Sequence, residues 1–147
     1  MIKDLSKLKI AIVKSNYHPD LTKSMADACK KELIEKGVPE NNIIIIAVPG
    51  SWEIPFIVKS LAQKKTFDGI VACGIIMKGD TYHFEILAEE CARSLMNISL
   101  EFNIPIAFEI LTTYNLTQAK KRSTGKANKG IEAAKALLET IKIKSGL

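Results

Sequence analysis

The chain has 147 residues, of which 47% are hydrophobic and 25% are charged, a composition typical of a globular protein with one core. No apolar run approaches the roughly 20 residues that span a bilayer. Residues 1–7 lack the apolar core of a secretory signal, so we expect a cytoplasmic protein with no membrane role. The net charge of +5 is spread along the chain, and its densest patch, residues 120–122, has no interleaved aromatic side chains. This argues against a nucleic-acid partner and favours a small phosphorylated substrate.

Hydrophobic periodicity and helix-end residues predict four strands that alternate with five helices. Asp20 is the predicted N-cap of the first helix, Gly37 its stop, and Asn115 the cap of the fourth helix. The four isoleucines that begin at Ile43 predict a buried strand, and Pro55 is tolerated because it lies in a first helical turn. The predicted strands span residues 8–13, 43–48, 69–76 and 105–111, and the predicted helices span residues 20–36, 52–64, 81–98, 115–122 and 130–143.

Strands that alternate with helices imply a parallel sheet covered on both faces. With right-handed crossovers, residues 1–147 are predicted to form a single domain, a three-layer αβα sandwich of flavodoxin-like type with four central parallel strands. Ligands of such sheets bind beyond the carboxyl ends of the strands. The loops at residues 16–18, 49–53 and 78–83, and the stretch after Phe108, are expected to converge at that edge.

The three cysteines are odd in number, lie far apart and form no CxxC pair. Each lies in an apolar stretch, so we expect buried, reduced thiols and no metal site. They are Cys29, Cys73 and Cys91.

Residues 74–84, Gly-Ile-Ile-Met-Lys-Gly-Asp-Thr-Tyr-His-Phe, carry the clearest chemical signal. A helix that begins near Thr81 offers unpaired backbone N–H groups to an anion, and His83 beside it can carry protons near neutral pH. The spacing is that of a nucleotide phosphate loop, but Asp80 stands where that loop has lysine, which disfavours a nucleoside triphosphate. We expect Asp80 or Thr81 to cap the helix, and capping does not exclude the binding of a single phosphate.

Residues 48–55, Val-Pro-Gly-Ser-Trp-Glu-Ile-Pro, form a second strand–turn–helix entry. The N–H groups of Ser51 and Trp52 are candidates to bind a planar heterocycle, and Glu53 could accept from a polyol hydroxyl. Tyr17 offers a flat face to an aromatic ring. The alternative for each is ordinary packing, with Trp52 and Phe108 in the core and Glu53 favouring the helix dipole.

Five blocks together resemble the 6,7-dimethyl-8-ribityllumazine synthase family. They occur in family order and cover nearly the whole chain: residues 15–17, 48–55, 74–84, 108–113 and 118–134. The resemblance implies an enzyme that condenses 5-amino-6-(D-ribitylamino)uracil with 3,4-dihydroxy-2-butanone 4-phosphate, the penultimate step of riboflavin synthesis. It implies no metal and no organic cofactor.

The resemblance also implies a role for each matching residue. His83 is the expected proton carrier. The pyrimidine and its ribityl chain would be held by Tyr17, Ser51, Trp52, Glu53, Ile75, Ile76, Met77 and Phe108. The phosphate would be held by Asp80, Thr81, Arg122 and Lys129.

Family members are pentamers, and some assemble twelve pentamers into a hollow shell. The resemblance therefore implies at least a pentamer, in which Phe108, Arg122 and Lys129 come from the neighbouring subunit. Riboflavin synthase is a further candidate partner.

The sequence departs from the family pattern at four places. His18 stands where asparagine is usual, Lys78 where arginine is usual and Glu109 where glycine is common, and the loop from Arg122 to Asn128 is one residue shorter.

Three other functions are compatible with parts of the sequence. A flavin- or lumazine-binding module would bind ligand without chemistry. A shell protein with a decayed site is disfavoured because His83, Arg122, Glu53 and Thr81 are all present. A phosphate-loop nucleotidase is disfavoured by Asp80.

Overall fold

Four parallel strands form one sheet in the order β2-β1-β3-β4, in a computed structural model that describes residues 3–147. This order matches the first four strands of a flavodoxin-like sheet. The strands are β1 (Ile10–Ser15), β2 (Ile43–Val48), β3 (Gly69–Met77) and β4 (Ile106–Thr113). The helices are α1 (Pro19–Glu35), α2 (Ile54–Gln63), α3 (His83–Phe102), α4 (Leu116–Ser123) and α5 (Lys129–Gly146).

The two faces of the sheet have separate hydrophobic cores, because successive side chains of a strand point to opposite faces. One core joins the sheet to α1, α4 and α5 and includes Ile12, Cys73 and Leu137. The other joins it to α2 and α3 and includes Val13, Val58 and Leu95. The predicted three-layer αβα sandwich with a four-stranded parallel sheet is therefore confirmed.

The N-terminus of α5 is fastened to α1 and α4 by one buried side chain. The Asn128 amide donates to the carbonyl oxygens of Ser24 at 3.2 Å and Ser123 at 2.9 Å, and its Oδ1 accepts from the Gly130 N–H at 2.8 Å. A Cβ at Gly130 would overlap the Met25 carbonyl of α1. Glycine at this position therefore lets the two helices lie in contact.

Several sequence-based boundaries and caps are wrong. Asp20 is not the cap of α1: His18 is the N-cap and Pro19 is the first helical residue, a place that suits the fixed backbone angle of proline. The β2 strand has the predicted bounds but is not buried, because it lies at the edge of the sheet and leaves Ile44 and Ile45 exposed. Residues Ser51–Glu53 form a 3₁₀ turn before α2, where a continuous helix was predicted.

The expectations for Gly37, Asn115 and the burial of the cysteines hold. Gly37 ends α1 with a φ of 111°, and the Asn115 side chain caps α4 by accepting from the Gln118 N–H. The three cysteines are free and buried. Burial raises the pKa of the Cys29 thiol to about 12 and that of Cys91 to about 11. Within residues 3–147 no helix is long and apolar enough to cross a membrane, and no group of three or more His, Cys, Asp or Glu side chains is placed to hold a metal ion.

Candidate active site

A cavity of about 520 Å³ opens at the carboxyl ends of β1 and β3, between the turn after β2 and the start of α3. It brings together eight of the residues predicted to act on or hold a ligand: Tyr17, Ser51, Trp52, Glu53, Ile75, Ile76, Met77 and His83. They come from four separate parts of the sequence. Their convergence follows from the parallel sheet, which places the carboxyl ends of neighbouring strands side by side.

The turn at residues 49–53 forms one wall of the cavity and is held by its own side chains. Glu53 accepts the Gly50 N–H at 2.9 Å, so its carboxylate is oriented by the turn it belongs to. The Cys91 thiol of α3 donates to the Ser51 carbonyl at 3.3 Å from beneath. Trp52 is 61% exposed, which rules out the alternative that it packs in the core of this chain.

Gly74 allows this turn to lie close against β3. A Cβ at Gly74 would stand 2.7 Å from Ser51 Oγ and 3.3 Å from Ile54 Cδ1, both too close for an unstrained contact. Ser51 is buried, and within residues 3–147 its hydroxyl has no hydrogen-bond partner. A buried hydroxyl without a partner is uncommon in folded proteins. Here it belongs to a residue that lines the cavity.

Tyr17 lies half exposed at the opposite side of the cavity, in the loop between β1 and α1. The His18 ring packs edge-on against it, with ring centroids 4.4 Å apart and an angle of 76° between the planes. His18 has a φ of 51°, in the left-handed region that asparagine enters more readily than most residues. This backbone angle is a physical reason for asparagine at the position, and the histidine here adds a ring that packs against Tyr17.

The turn from Lys78 to His83 borders the cavity and is exposed to solvent. The Lys78 N–H donates to the Thr113 carbonyl, whereas the amides of residues 79–82 find no acceptor within residues 3–147. The expectation that Asp80 or Thr81 caps the helix is wrong. Tyr82 is the N-cap and makes no side-chain cap, and Thr81 only accepts the His83 N–H at a long 3.5 Å. The free amides therefore stay available to an anion.

Lys78 bridges the two ends of this turn. Its ammonium pairs with Glu85 in the first turn of α3 and lies 5.5 Å from the centroid of the Phe84 ring. The predicted departure from arginine thus keeps a positive charge beside the turn, and much of that charge is neutralised by Glu85.

Five of the predicted residues do not line this cavity, and two of them, Asp80 and Thr81, lie in the exposed turn beside it. Phe108 is 43% exposed and borders a small hollow against α3, so it is not a core residue. Arg122, on the opposite side of the sheet, donates from Nη1 to the Gln118 carbonyl at 3.1 Å and is otherwise exposed. Lys129 forms an ion pair with Glu132 at 2.7 Å.

The cavity also contains Pro49 and Gly50, which belong to the loop expected at this edge, and Leu87, to which no role was assigned. Leu87 follows His83 by one helical turn and so lies on the same face of α3. That spacing is the sequence signal that could have placed Leu87 in the cavity.

Comparison with known proteins gives one consistent result. The family model described as 6,7-dimethyl-8-ribityllumazine synthase matches residues 7–145. A protein of that name from Albidiferax ferrireducens is 41% identical over 141 residues, which are 96% of this chain and 88% of the relative. One from Leuconostoc mesenteroides is 43% identical over 141 residues, covering 95% and 90%. One from Acidovorax ebreus is 39% identical over 136 residues, covering 92% and 86%. The chain belongs to the 6,7-dimethyl-8-ribityllumazine synthase family and is an enzyme of that type.

Proposed function

We propose that this enzyme condenses 5-amino-6-(D-ribitylamino)uracil with 3,4-dihydroxy-2-butanone 4-phosphate to give 6,7-dimethyl-8-ribityllumazine, phosphate and water. Family membership supports a role in riboflavin biosynthesis, and this reaction is its penultimate step. The observation that carries the proposal is the cavity, because it gathers eight residues of the family pattern. Its volume of about 520 Å³ suits a small molecule with one planar ring.

The apolar half of the cavity suits the pyrimidine. The end of β3, residues 75–77, offers backbone N–H and C=O groups along one edge, and the exposed face of Tyr17 is free to stack on a ring. Glu53 already accepts one N–H and keeps oxygen lone pairs for ribityl hydroxyls. In this proposal Ser51 and Trp52 hold the same substrate from the turn.

The phosphate would lie against the turn before α3. There the free amides of residues 79–82 and the Thr81 hydroxyl face solvent beside His83. The reaction needs proton transfers, as an amine attacks a ketone, phosphate is eliminated, an enol tautomerises and a second amine closes the ring. His83 is placed to carry those protons, and the helix start stabilises the leaving anion. Neither step requires a metal or an organic cofactor.

Holding both substrates together would supply much of the rate, up to about 7–11 kcal/mol in favourable cases. The cavity of one chain lacks Phe108, Arg122 and Lys129. We propose that these residues reach it from the neighbouring subunit of a pentamer or larger assembly. In that assembly the Arg122 guanidinium would donate two parallel hydrogen bonds to the phosphate. Sedimentation that finds a fully active monomer would contradict the shared site.

The direct test mixes the purified protein with both substrates and follows the fluorescence of the lumazine product. Product formation supports the proposal. A change in ligand fluorescence on binding, without any product, would instead show a lumazine- or flavin-binding module. Riboflavin synthase consumes this product, and co-sedimentation tests it as a partner.

Subunit mixing tests the shared site separately. His83→Ala and Arg122→Ala each damage every site of a uniform assembly. In a randomly mixed assembly about a quarter of the sites receive an intact His83 from one chain and an intact Arg122 from its neighbour. Activity that returns after the two variants are unfolded and refolded together supports shared sites. Activity that never exceeds the average of the two variants would refute them.

A further inference from the structure

Glu109 is a carboxylate in an apolar setting. It lies on β4 beside Cys73 of β3, between Ala107 and Leu111, both of which point into the core under α1 and α5. Because alternate residues of a strand share a face, Glu109 points to the same side, opposite to Phe108. It is half-buried, and within residues 3–147 no side chain forms an ion pair with it.

One cation of the proposed phosphate site, Lys129, lies near this carboxylate, and the other, Arg122, lies near Lys129. Lys129 begins α5 and pairs with Glu132, and the charges of Glu109 and Arg122 both act on the Lys129 ammonium. We call Glu109, Arg122, Lys129 and Glu132 the β4–α5 charge cluster. With Glu109 neutral the cluster carries one net positive charge, and with Glu109 ionised it carries none.

Glu109 changes charge in the physiological range. Burial is the main cause that raises its pKa from 4.5 to about 7, the Glu132 carboxylate also raises it, and Lys129 lowers it. The titratable groups that face it from the packed elements are few. They are Cys73 on β3, Cys29 on α1, and Lys129 and Glu132 on α5, with Lys14 of β1 acting on Cys73 and Glu32 of α1 acting on Cys29. Burial keeps both thiols neutral, so Glu109 is the member of this set that titrates near pH 7.

We propose that Glu109 sets the pH dependence of anion binding at Arg122 and Lys129: its carboxylate opposes the anion, and its protonated form does not. This rests on the proposed function, which assigns those two cations to the substrate phosphate. For a separation on the order of 10 Å, Coulomb's law gives a divalent anion about three- to tenfold weaker binding once Glu109 ionises. By linkage, anion binding favours the protonated carboxyl, so the site takes up a proton when it fills.

Sulfate is the probe that tests this, because its double charge does not change between pH 6 and pH 8. The intact wild-type protein, Glu109→Gln and the control Glu139→Gln are melted with increasing sulfate at both pH values, at constant ionic strength set with sodium chloride. Glu139 lies further along α5 and is exposed, so its substitution removes one carboxylate outside the cluster. Sulfate also stabilises proteins by exclusion from their surface. The rise in Tm that sulfate causes in Arg122→Ala is therefore subtracted from the rise measured for each of the other proteins.

We expect the wild type and Glu139→Gln to bind sulfate three to ten times more tightly at pH 6 than at pH 8, and Glu109→Gln to lose most of that ratio. If Glu109→Gln does not fold, Glu109→Ala replaces it. Equal ratios in the wild type and the Glu109 variant would overturn the proposal, as would sulfate stabilisation that Arg122→Ala leaves unchanged. None of these readouts depends on catalysis, so failure to form lumazine would count against the proposed function and leave this test intact.

Discussion

Gly130→Ala should destabilise the enzyme, and it should do so more than the same substitution at Gly146, the other glycine of α5. Gly130 is buried in the first turn of α5, and a Cβ there would overlap the Met25 carbonyl oxygen, stand 2.9 Å from its carbon and lie 3.0 Å from Asn128 Oδ1. The two nearest obstructing atoms belong to the Met25 backbone of α1, which cannot rotate away. The two helices must separate.

The size of the effect follows from that separation. Ordinary carbon contacts begin near 3.4 Å. The helices must therefore part locally by about 1 Å, which forfeits a quarter to a half of the dispersion energy of each contact that is opened. Overpacking of this kind costs about 3 kcal/mol, at the upper end of its usual range. For a chain of this size, that corresponds to a fall in Tm of about 6–12 °C.

Gly146→Ala is the matched control. It adds the same methyl group to the last residue of α5, where nothing lies within 4 Å of the new Cβ. Its stability should be unchanged or raised by up to about 1 kcal/mol, since alanine is the better helix former. Differential scanning calorimetry of both variants decides the matter. A Gly130→Ala protein that melts with the control would show that α1 and α5 do not approach as closely as described.

Three further predictions concern the site, the helix caps and pH. His83→Ala should lower kcat more than it raises KM, whereas Arg122→Ala should mainly raise KM for the butanone phosphate, since the first removes proton transfer and the second removes ground-state binding; identical kinetic changes in steady-state assays would contradict these roles. Asn128→Ala should cost about 2–4 kcal/mol in urea unfolding, because it removes a helix cap together with the hydrogen bonds that the Asn128 amide donates to the Ser24 and Ser123 carbonyls, against about 1 kcal/mol for the exposed cap Asn115→Ala; equal losses would refute this difference. Folded Glu109 keeps its proton up to about pH 7 and the unfolded chain only to about 4.5, so stability falls as pH rises through that window. Glu109→Gln should remove about 1–2 kcal/mol of that fall after solvent screening, and urea unfolding at pH 5 and pH 8 that shows the same fall in both proteins would disprove it.

The sequence predicted the order of elements well because the responsible signals are local. Asn115 and Gly37 act within one helical turn, and the apolar stripe of α3 repeats with the helical period. Sequence reasoning misjudged β2 because burial depends on a strand's position in the sheet. Four consecutive isoleucines are compatible with a central strand, and only the order of all four strands reveals an edge.

The candidate site divides in the same way. Tyr17, Ser51 and His83 follow strand ends or begin helices, so the rule for parallel sheets gathers them without coordinates. The neighbours of Glu109 could not be predicted, because Lys129 and Glu132 come near it only through the packing of α5 on β4. The roles of Phe108, Arg122 and Lys129 stay predictions, since each depends on a second subunit.

Strand β2 gives a newly made chain an exposed sheet edge at which other chains can pair. Within residues 3–147 no strand lies beside its outer backbone groups, and Ile44 and Ile45 present more than a third of their surface to water. β-branched residues along an open strand attract any extended segment that drifts past, including misfolded copies. Refolding at low protein concentration should therefore return more active enzyme than refolding at high concentration. A charged residue at position 44 should raise the protein concentration at which refolding still succeeds.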